Sequence, residues 1–267
     1  MPRAGRTDGA GIVSAPDGGD VRAARYDGMA ADELARLLGV PRVIVFERVG
    51  STMDVAHALA AEGAPAGTLV LADAQTQGRG RQGRAWHSAA GQGIWLTLVE
   101  RPRDAGALDV LSLRLGLHAA AAVEPFADGA VRVKWPNDLQ VDGRKLAGIL
   151  VDARWREGRP EWVAIGFGLN VRAPAAMAEA CGLRADAVRQ YVLRALVPAL
   201  RAAAAGEGTL TATELAAFAA RDALRGRRIA EPVAGVVTGI DAAGALLVRD
   251  AESVQHAVWQ GSVGFSP

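Results

Sequence analysis

The sequence has 267 residues, 50% of them hydrophobic, which is enough for one large domain or for a main domain with a small one. Its 30 Lys and Arg residues nearly balance its 29 Asp and Glu residues, so net charge does not favour attachment to nucleic acid or to a membrane. The single cysteine, Cys181, cannot form an intramolecular disulfide, and no apolar stretch reaches the roughly 18 residues of a membrane span, so we expect a cytoplasmic protein.

Residues 1–24 are rich in Gly, Ala, Asp and Arg without a hydrophobic period, which predicts a disordered tail. The pattern of helices and strands begins after this segment. Hydrophobic periodicity and capping residues predict helices over 30–38, 54–62, 108–123, 185–205 and 211–224. Short β-prone runs predict strands over 43–47, 68–74, 94–100, 131–134 and 161–167.

The pattern changes after Gly226. Short β-prone runs over 227–230, 233–240, 245–249 and 253–259 alternate with turn-forming residues, which is typical of a small β-barrel. We therefore expect an α+β protein. A mixed sheet covered by helices would occupy residues 25–225, and the small barrel would occupy residues 226–267.

A loop rich in glycine and arginine follows the second predicted strand, with the sequence Q-T-Q-G-R-G-R-Q-G-R-A-W over residues 75–86. It matches G-x-G-x-x-G, but a turn-rich segment follows where a dinucleotide-binding fold would need a helix. Mobile glycines and bidentate arginines instead favour a basic flap that closes over an anion. The alternative is a solvated loop, since arginine greatly outnumbers lysine throughout this sequence.

The sequence K-W-P-N-D precedes a predicted hairpin whose two-residue turn is Asp142-Gly143. This turn places Gln140 opposite Lys145, so Asp138, Gln140 and Lys145 are expected on one face. In the same register Asp138 lies opposite Ala147 and Asn137 opposite Gly148. Gly148 would then leave room for a ligand beside Asn137. The alternative is a surface hairpin with an ordinary ion pair, which would contribute little stability.

Two further motifs are G-S-T-M-D, which begins at Gly50, and G-F-G-L-N, which begins at Gly166. Ser51 and Asp54 have the spacing of a capping box, while the hydroxyl groups of the first motif could instead bind a polar ligand. Glycines at the end of a strand permit close approach of a ligand. No histidine has metal-ligand spacing and no nucleophile is evident, which favours a reaction driven by positioning and charge stabilisation.

In this order, the motifs over about residues 43–172 resemble the biotin protein ligase family, and the C-terminal region resembles the SH3-like domain of that family. The resemblance implies an ATP-dependent ligase. Such an enzyme activates biotin as biotinyl-5′-AMP and transfers it to a lysine of a biotin carboxyl carrier protein, with Mg²⁺ arriving on ATP. The implied acceptor is the carrier domain of acetyl-CoA carboxylase or a related carboxylase, and the enzyme would be a monomer or a homodimer.

The resemblance also implies the roles of individual residues. The biotin pocket would comprise Ser51, Thr52, Met53, Gln75, Gly78, Arg79, Gly80, Arg81, Lys145 and Gly148, with Met53 standing where the family usually has Asn. ATP would contact Arg79, Arg84, Trp86, Asn137, Lys145 and Asn170. The catalytic residues would be Arg81, Lys145 and Asp138, without a protein-bound metal.

Two alternatives remain. A lipoate or octanoate ligase or transferase shares the implied catalytic fold. A biotin-responsive repressor would need a winged helix-turn-helix, but residues 1–42 hold a polar tail and one predicted helix. We therefore expect a monofunctional enzyme that binds no specific DNA.

Overall fold

The computed structural model describes residues 20–265. Over that range the chain forms, in order, β1 (Val21–Arg22), β2 (Arg25–Tyr26), β3 (Met29–Ala30), α1 (Ala31–Leu38), β4 (Arg42–Val49), α2 (Thr52–Ala61), β5 (Thr68–Gln75), β6 (Gly93–Glu100), α3 (Leu108–Val123), β7 (Arg132–Lys134), β8 (Asp138–Val141), β9 (Arg144–Arg156), β10 (Arg159–Asn170), α4 (Arg189–Ala204), α5 (Ala212–Arg221), β11 (Arg228–Glu231), β12 (Gly235–Ile240), β13 (Leu246–Arg249), β14 (Gln255–Val258) and β15 (Gly264–Phe265). No helix in this range is long and apolar enough to cross a membrane.

The large sheet has eight strands in the order β1-β4-β5-β6-β10-β9-β8-β7. It is mixed, because β4 and β5 run parallel while the other neighbours are antiparallel. Alternate residues of β4 face different cores: Val43 and Val45 join the core with α1, α3 and α4, whereas Ile44 and Phe46 join the core with α2. Helices thus cover both faces, which confirms the predicted α+β class.

The N-terminal segment is partly described. Residues 1–19 of the predicted disordered tail lie outside the described residues, whereas Val21–Arg22 form β1 and pair with β4. The prediction that the disordered tail reaches residue 24 is therefore wrong at Val21–Arg22, which belong to a strand. Beyond it, the guanidinium of Arg189 contacts the carboxylates of Asp27 and Asp73 and lies 4.5 Å from the centre of the Tyr26 ring. These contacts join the β2–β3 hairpin to α4 and to the large sheet.

The hairpin of β8 and β9 turns at Asp142-Gly143, as predicted. Both residues have positive φ, 50° and 76°, as a type I′ turn requires. The predicted register is correct near the turn but wrong beyond it, because a bulge places Asp138 opposite Gly148 rather than Ala147. The bulge leaves Leu146 without a directly opposite residue in β8, so the pairs farther from the turn are shifted by one residue.

The C-terminal sheet has five antiparallel strands in the order β14-β13-β12-β11-β15 and is an open half-barrel. Four of its strands match the four predicted β-prone runs. The two-residue strand β15 was missed because its short G-F pair has no periodic pattern. The half-barrel packs on the large domain, where the Trp135 indole N–H donates to the Gly244 carbonyl at 3.0 Å.

Candidate active site

A cavity of about 240 Å³ opens where the large sheet meets the start of α2 and the basic loop. The N-terminus of α2, the loop after β5, the β7–β8 corner and the middle of β9 and β10 form its walls. Most of the residues predicted for the site line it, namely Ser51, Thr52, Met53, Gln75, Arg79, Gly80, Arg81, Arg84, Trp86, Asn137, Asp138, Lys145 and Gly148. Residues far apart in sequence therefore meet in one cavity.

The floor of the cavity is a network of hydrogen bonds at the start of α2. The Gln75 side-chain oxygen accepts from the backbone N–H of Thr52 at 2.9 Å and from its hydroxyl at 3.1 Å. The Gln75 amide donates to the Ser88 hydroxyl at 2.9 Å, and the hydroxyls of Thr52 and Thr97 are 2.9 Å apart. These bonds orient polar groups in a buried wall, where they can recognise an uncharged polar ligand.

Ser51 caps α2, but without the predicted capping box. Its hydroxyl accepts from the Met53 backbone N–H at 3.3 Å, while the Asp54 carboxylate forms an ion pair with Arg79. Asp54 is thereby drawn away from the cap and neutralises one of the arginines of the loop. Met53 and Gly166 both line the cavity. The Met53 methyl carbon packs against Gly166, where an added Cβ would lie only 2.7 Å away from it.

The basic loop folds back on itself in a tight turn. The Gly80 N–H donates to the Arg84 carbonyl at 2.7 Å, and the Trp86 N–H donates to the Gly78 carbonyl at 2.8 Å. Arg81 extends across the cavity and donates to the Asn137 side-chain oxygen at 3.3 Å. Burial is the main cause that lowers the pKa of Arg81, and Asp138 opposes this shift. The predicted flap thus has a defined conformation with Arg81 directed at the opposite wall.

Trp86 lies across a pair of glycines. Gly148 and Gly168 are opposite each other in β9 and β10, and a Cβ on either would approach the indole to 2.8 Å or 2.5 Å. The space that Gly148 was predicted to leave for a ligand is therefore occupied by Trp86, which the hairpin pattern could not show. The two glycines let the indole lie close against the sheet and form part of the cavity wall.

Lys145 is held at both its side chain and its backbone. The ammonium group lies 2.8 Å from the Asp138 carboxylate and 4.9 Å from the centre of the Trp86 ring. The Lys145 N–H donates to Glu179 O at 2.7 Å, and its carbonyl accepts from Cys181 N at 2.9 Å. This fixed cation can bind a carboxylate or a phosphate oxygen.

Two predicted residues lie behind the wall. The Asn170 amide donates to the Lys145 carbonyl at 3.3 Å, and Asn170 is buried outside the lining. Gly78 is also outside the lining, and a Cβ there would lie 2.4 Å from the Trp86 carbonyl oxygen. Asn170 therefore contacts Lys145 rather than the cavity, and Gly78 provides the close approach of two backbone segments.

Sequence analysis missed several lining residues, including Thr97, Lys134 and the segment Gly261–Val263. Lys134 begins the K-W-P-N-D motif but had no assigned role. Ser262 comes from the C-terminal half-barrel and links to the basic loop, because its hydroxyl lies 3.3 Å from the Arg84 guanidinium. No motif indicated this contact, which depends on the packing of the two sheets. Within residues 20–265, no group of three or more His, Cys, Asp or Glu side chains could hold a metal ion.

Residues 45–170 match the Biotin/lipoate A/B protein ligase family. A bifunctional ligase/repressor, BirA, of Bacillus subtilis is 43% identical over 132 residues, which are 48% of this chain and 40% of that protein. A biotin–[acetyl-CoA-carboxylase] ligase of Mycobacterium tuberculosis is 39% identical over 133 residues, 48% of each chain. The chain thus matches less than half the length of these relatives.

Solved structures show the same fold over a longer range. The biotin protein ligase of Aquifex aeolicus in complex with biotin and ATP has a TM-score of 0.66 at 23% identity and covers 85% of this chain and 100% of that chain. The Leishmania major biotin protein ligase with biotinyl-5-AMP has a TM-score of 0.55 at 25% identity, covering 82% and 98%. Residues 45–170 of this chain are therefore similar in sequence to the Biotin/lipoate A/B protein ligase family, and the solved structures share the fold of most of the chain.

Proposed function

We propose that the protein is an ATP-dependent biotin–protein ligase. The observation that carries the proposal is Lys145, held against Asp138 and Trp86 in a cavity that combines the polar groups at the start of α2 with the cations of the basic loop. Such a cavity suits a small acid with an uncharged polar ring system whose carboxylate must meet a nucleotide. The relatives and solved structures described above support biotin as that acid.

In the first step, a carboxylate oxygen of biotin would attack the α-phosphorus of ATP. A new oxygen–phosphorus bond forms, the bond from the α-phosphorus to the bridging oxygen of the β-phosphate breaks, and pyrophosphate leaves with the electron pair. The two reactants are both anions, so Arg81 and Lys145 would offset their repulsion and stabilise the charge of the transition state. Mg²⁺ would reach the site on ATP, since phosphate oxygens and water are its usual ligands.

In the second step, the neutral ε-amine of an acceptor lysine would attack the carbonyl carbon of biotinyl-5′-AMP. The carbon–oxygen bond to phosphate breaks, AMP leaves as an anion, and the amine loses one proton. Asp138 lines the same cavity, and we propose that it orients the incoming amine or accepts this proton. The closed basic loop would keep water from the reactive anhydride between the two steps.

The site residues keep the roles that the motifs imply, with two changes of position. Ser51, Thr52, Met53 and Gln75 would contact biotin, Arg84, Trp86 and Asn137 would contact the nucleotide, and Arg79 would act through its ion pair with Asp54. Gly78 and Asn170 would support the site from behind its wall. The lipoate or octanoate alternative has weaker support, because the M. tuberculosis relative and both solved structures have biotin in their names.

We further propose that the acceptor is a biotin carboxyl carrier domain of a carboxylase and that the protein acts in the cytoplasm without binding specific DNA. A single buried cysteine suits a reducing compartment. Among the described residues before β4, the helix α1 carries Asp32 and Glu33 in its first turn, and acidic residues there would oppose contact with DNA phosphates. We divide the chain functionally into a catalytic part, residues 25–225, and a supporting C-terminal part, residues 226–267.

The test is incubation with biotin, ATP, Mg²⁺ and a purified carrier domain, followed by intact mass measurement of the acceptor. We expect one added biotin per acceptor with the unchanged protein and at least a ~100-fold slower gain with Lys145→Ala, because a fixed cation at the reacting groups is removed. Arg144→Ala is the matched control, since Arg144 is the exposed neighbour on β9 and lies outside the cavity lining. Parallel incubations replace biotin with lipoate or octanoate, and an acceptor that gains those groups but no biotin would refute the proposal.

A further inference from the structure

The chain has only two lysines, Lys134 and Lys145, among its 30 basic residues. Both lysines line the cavity. Every other basic position of the sequence is arginine, so a lysine at these two positions is a departure from the chain's general use of arginine. Lysine and arginine are not equivalent, because the ammonium group is a compact, strongly hydrated point charge and the guanidinium is a planar fork. The cavity therefore uses a kind of cation that the rest of the chain does not.

The backbone register places the two lysines on either side of one carboxylate. Lys134 is directly opposite Asp138 in the β7–β8 pair, and Asp138 is directly opposite Gly148 in the β8–β9 pair. Directly opposite residues share a face of the sheet. The Asp138 carboxylate also lies 2.8 Å from the Lys145 ammonium group. Asp138 is thus the centre of a cluster with one lysine on each side.

The cluster belongs to a wall with an excess of positive charge. Within the described part of the chain, Asp138 is the one acidic residue in the cavity lining, whereas five basic residues line it. Burial lowers the pKa of Lys134, Asp138 opposes this, and Lys145, Arg227 and Arg84 lower the pKa further. These cations repel one another until an anion with several charges binds among them, and a diphosphate group has that charge.

We propose that Lys134 binds the β- and γ-phosphates of the nucleotide and then the pyrophosphate that leaves, while Lys145 binds at the α-phosphate. The assignment to ATP rests on the proposed function, but the diphosphate site can be tested alone. A lysine suits this position because a leaving group must be released, and a hydrated ammonium group exchanges its partners more readily than a bidentate guanidinium.

The binding test uses the unchanged protein with lysine selectively labelled with ¹³C at Cε. Two lysine resonances are expected, and Lys134→Arg assigns them by removing one. Titration with inorganic pyrophosphate should shift the Lys134 resonance in a saturable way, while biotin alone should leave it in place. The proposal is overturned if pyrophosphate shifts neither lysine or shifts only Lys145.

The kinetic test measures biotin-dependent exchange of labelled pyrophosphate into ATP. Lys134→Met should raise the KM for pyrophosphate at least about tenfold, while the KM for biotin in the same exchange assay should change much less. Arg132→Met removes a cation from the same strand outside the cavity lining and should change neither quantity. An unchanged KM in Lys134→Met contradicts the inference. If the wild-type protein shows no biotin-dependent exchange, the proposed function is contradicted instead. The pyrophosphate titration of the labelled lysines then tests the diphosphate site by itself.

Discussion

The indole of Trp86 joins the basic loop to the sheet through contacts so close that one added carbon atom at the neighbouring glycines would disrupt them. It lies over Gly168, where a Cβ would be 2.5 Å from the indole nitrogen, and its edge meets the Trp95 ring at a centroid distance of 6.5 Å. The Lys145 ammonium group lies over the same indole. One side chain thus fixes the position of the loop and the surroundings of the central cation.

We expect Gly168→Ala to displace the indole and to weaken nucleotide use. The added methyl group cannot fit beside Trp86, so the ring and the loop that carries it must move. The KM for ATP in adenylate formation should rise about tenfold, which corresponds to a loss of about 1.4 kcal/mol in the free energy of ATP binding. Gly106→Ala is the control, because its nearest atom, a flexible Asp104 oxygen, is 3.4 Å from the new Cβ. Equal KM values in both variants would show that Trp86 does not form the nucleotide wall.

At the scale of elements, a buried ion pair joins α3 to α5. The Arg114 guanidinium, 3% exposed, lies 2.5 Å from the Glu214 carboxylate, which is 19% exposed. Glu214 also accepts from the backbone N–H of Thr211 at 2.8 Å in a capping box that begins α5. Hydrogen bonding from Arg114 is the largest cause that lowers the pKa of Glu214 to about 2, while partial burial opposes the shift. The same carboxylate therefore starts one helix and neutralises a cation of another.

The lowered pKa of Glu214 predicts a loss of stability in acid. The ionised carboxylate stabilises the fold above the ordinary glutamate pKa, and this stabilisation is lost as the pH falls from that range toward 2. The contribution at neutral pH is on the order of 2–3 kcal/mol. Urea unfolding at several pH values should show this acid-dependent decrease in the wild type and a smaller decrease in Glu214→Gln.

Glu33→Gln provides the comparison for Glu214→Gln. The Glu33 carboxylate accepts from the Ala30 backbone N–H at 2.7 Å at the start of α1, but its side chain is half-exposed and has only a distant, 4.0 Å pair with Arg25. Its replacement should leave most of the acid dependence in place, because an exposed ion pair contributes little. A Glu214→Gln variant whose stability falls with acid as steeply as that of the wild type would contradict the assigned role of Glu214.

At the scale of the whole molecule, the C-terminal half-barrel contributes to the cavity as well as to stability. Gly261–Val263 line the cavity, and the fully buried Trp135 donates across the boundary to Gly244. Trp135 is also the second residue of the K-W-P-N-D motif, next to Lys134. The contact that joins the two parts of the chain is therefore adjacent in sequence to the charged wall of the site.

We expect Trp135→Phe to lower the free energy of unfolding by about 1–3 kcal/mol, because the Gly244 carbonyl loses its buried donor. The wall formed by Gly261–Val263 should loosen with it, so biotinyl-5′-AMP should leave the enzyme faster in a filter-retention assay. Trp155→Phe is the control, since that indole is 49% exposed. If Trp135→Phe lowers the stability but retains the adenylate as long as the wild type does, the half-barrel does not contribute to closing the site.

Local sequence patterns were sufficient to predict most of the elements and the chemical character of the site. Asp142-Gly143 forms the turn of the hairpin because both residues tolerate positive φ, and α3 spans the predicted residues because Leu and Ala, which favour helices, dominate them. The motifs also brought together Lys145, Asp138 and Arg81, since each lies at the end of an element or in a loop with a recognisable pattern. These features depend on neighbours within a few residues.

The bulge in β9, the position of Trp86 and the role of the half-barrel depend on contacts between distant parts of the chain. The bulge leaves Leu146 without a directly opposite residue in β8, and Trp86 reaches Gly148 and Gly168 from more than 60 residues away in the sequence. The Asn170 amide donates to the Lys145 carbonyl rather than facing the cavity, because the packing of the strands decides which group each side chain contacts. Local patterns carry no information about such contacts, which depend on the burial of side chains that the whole fold brings together.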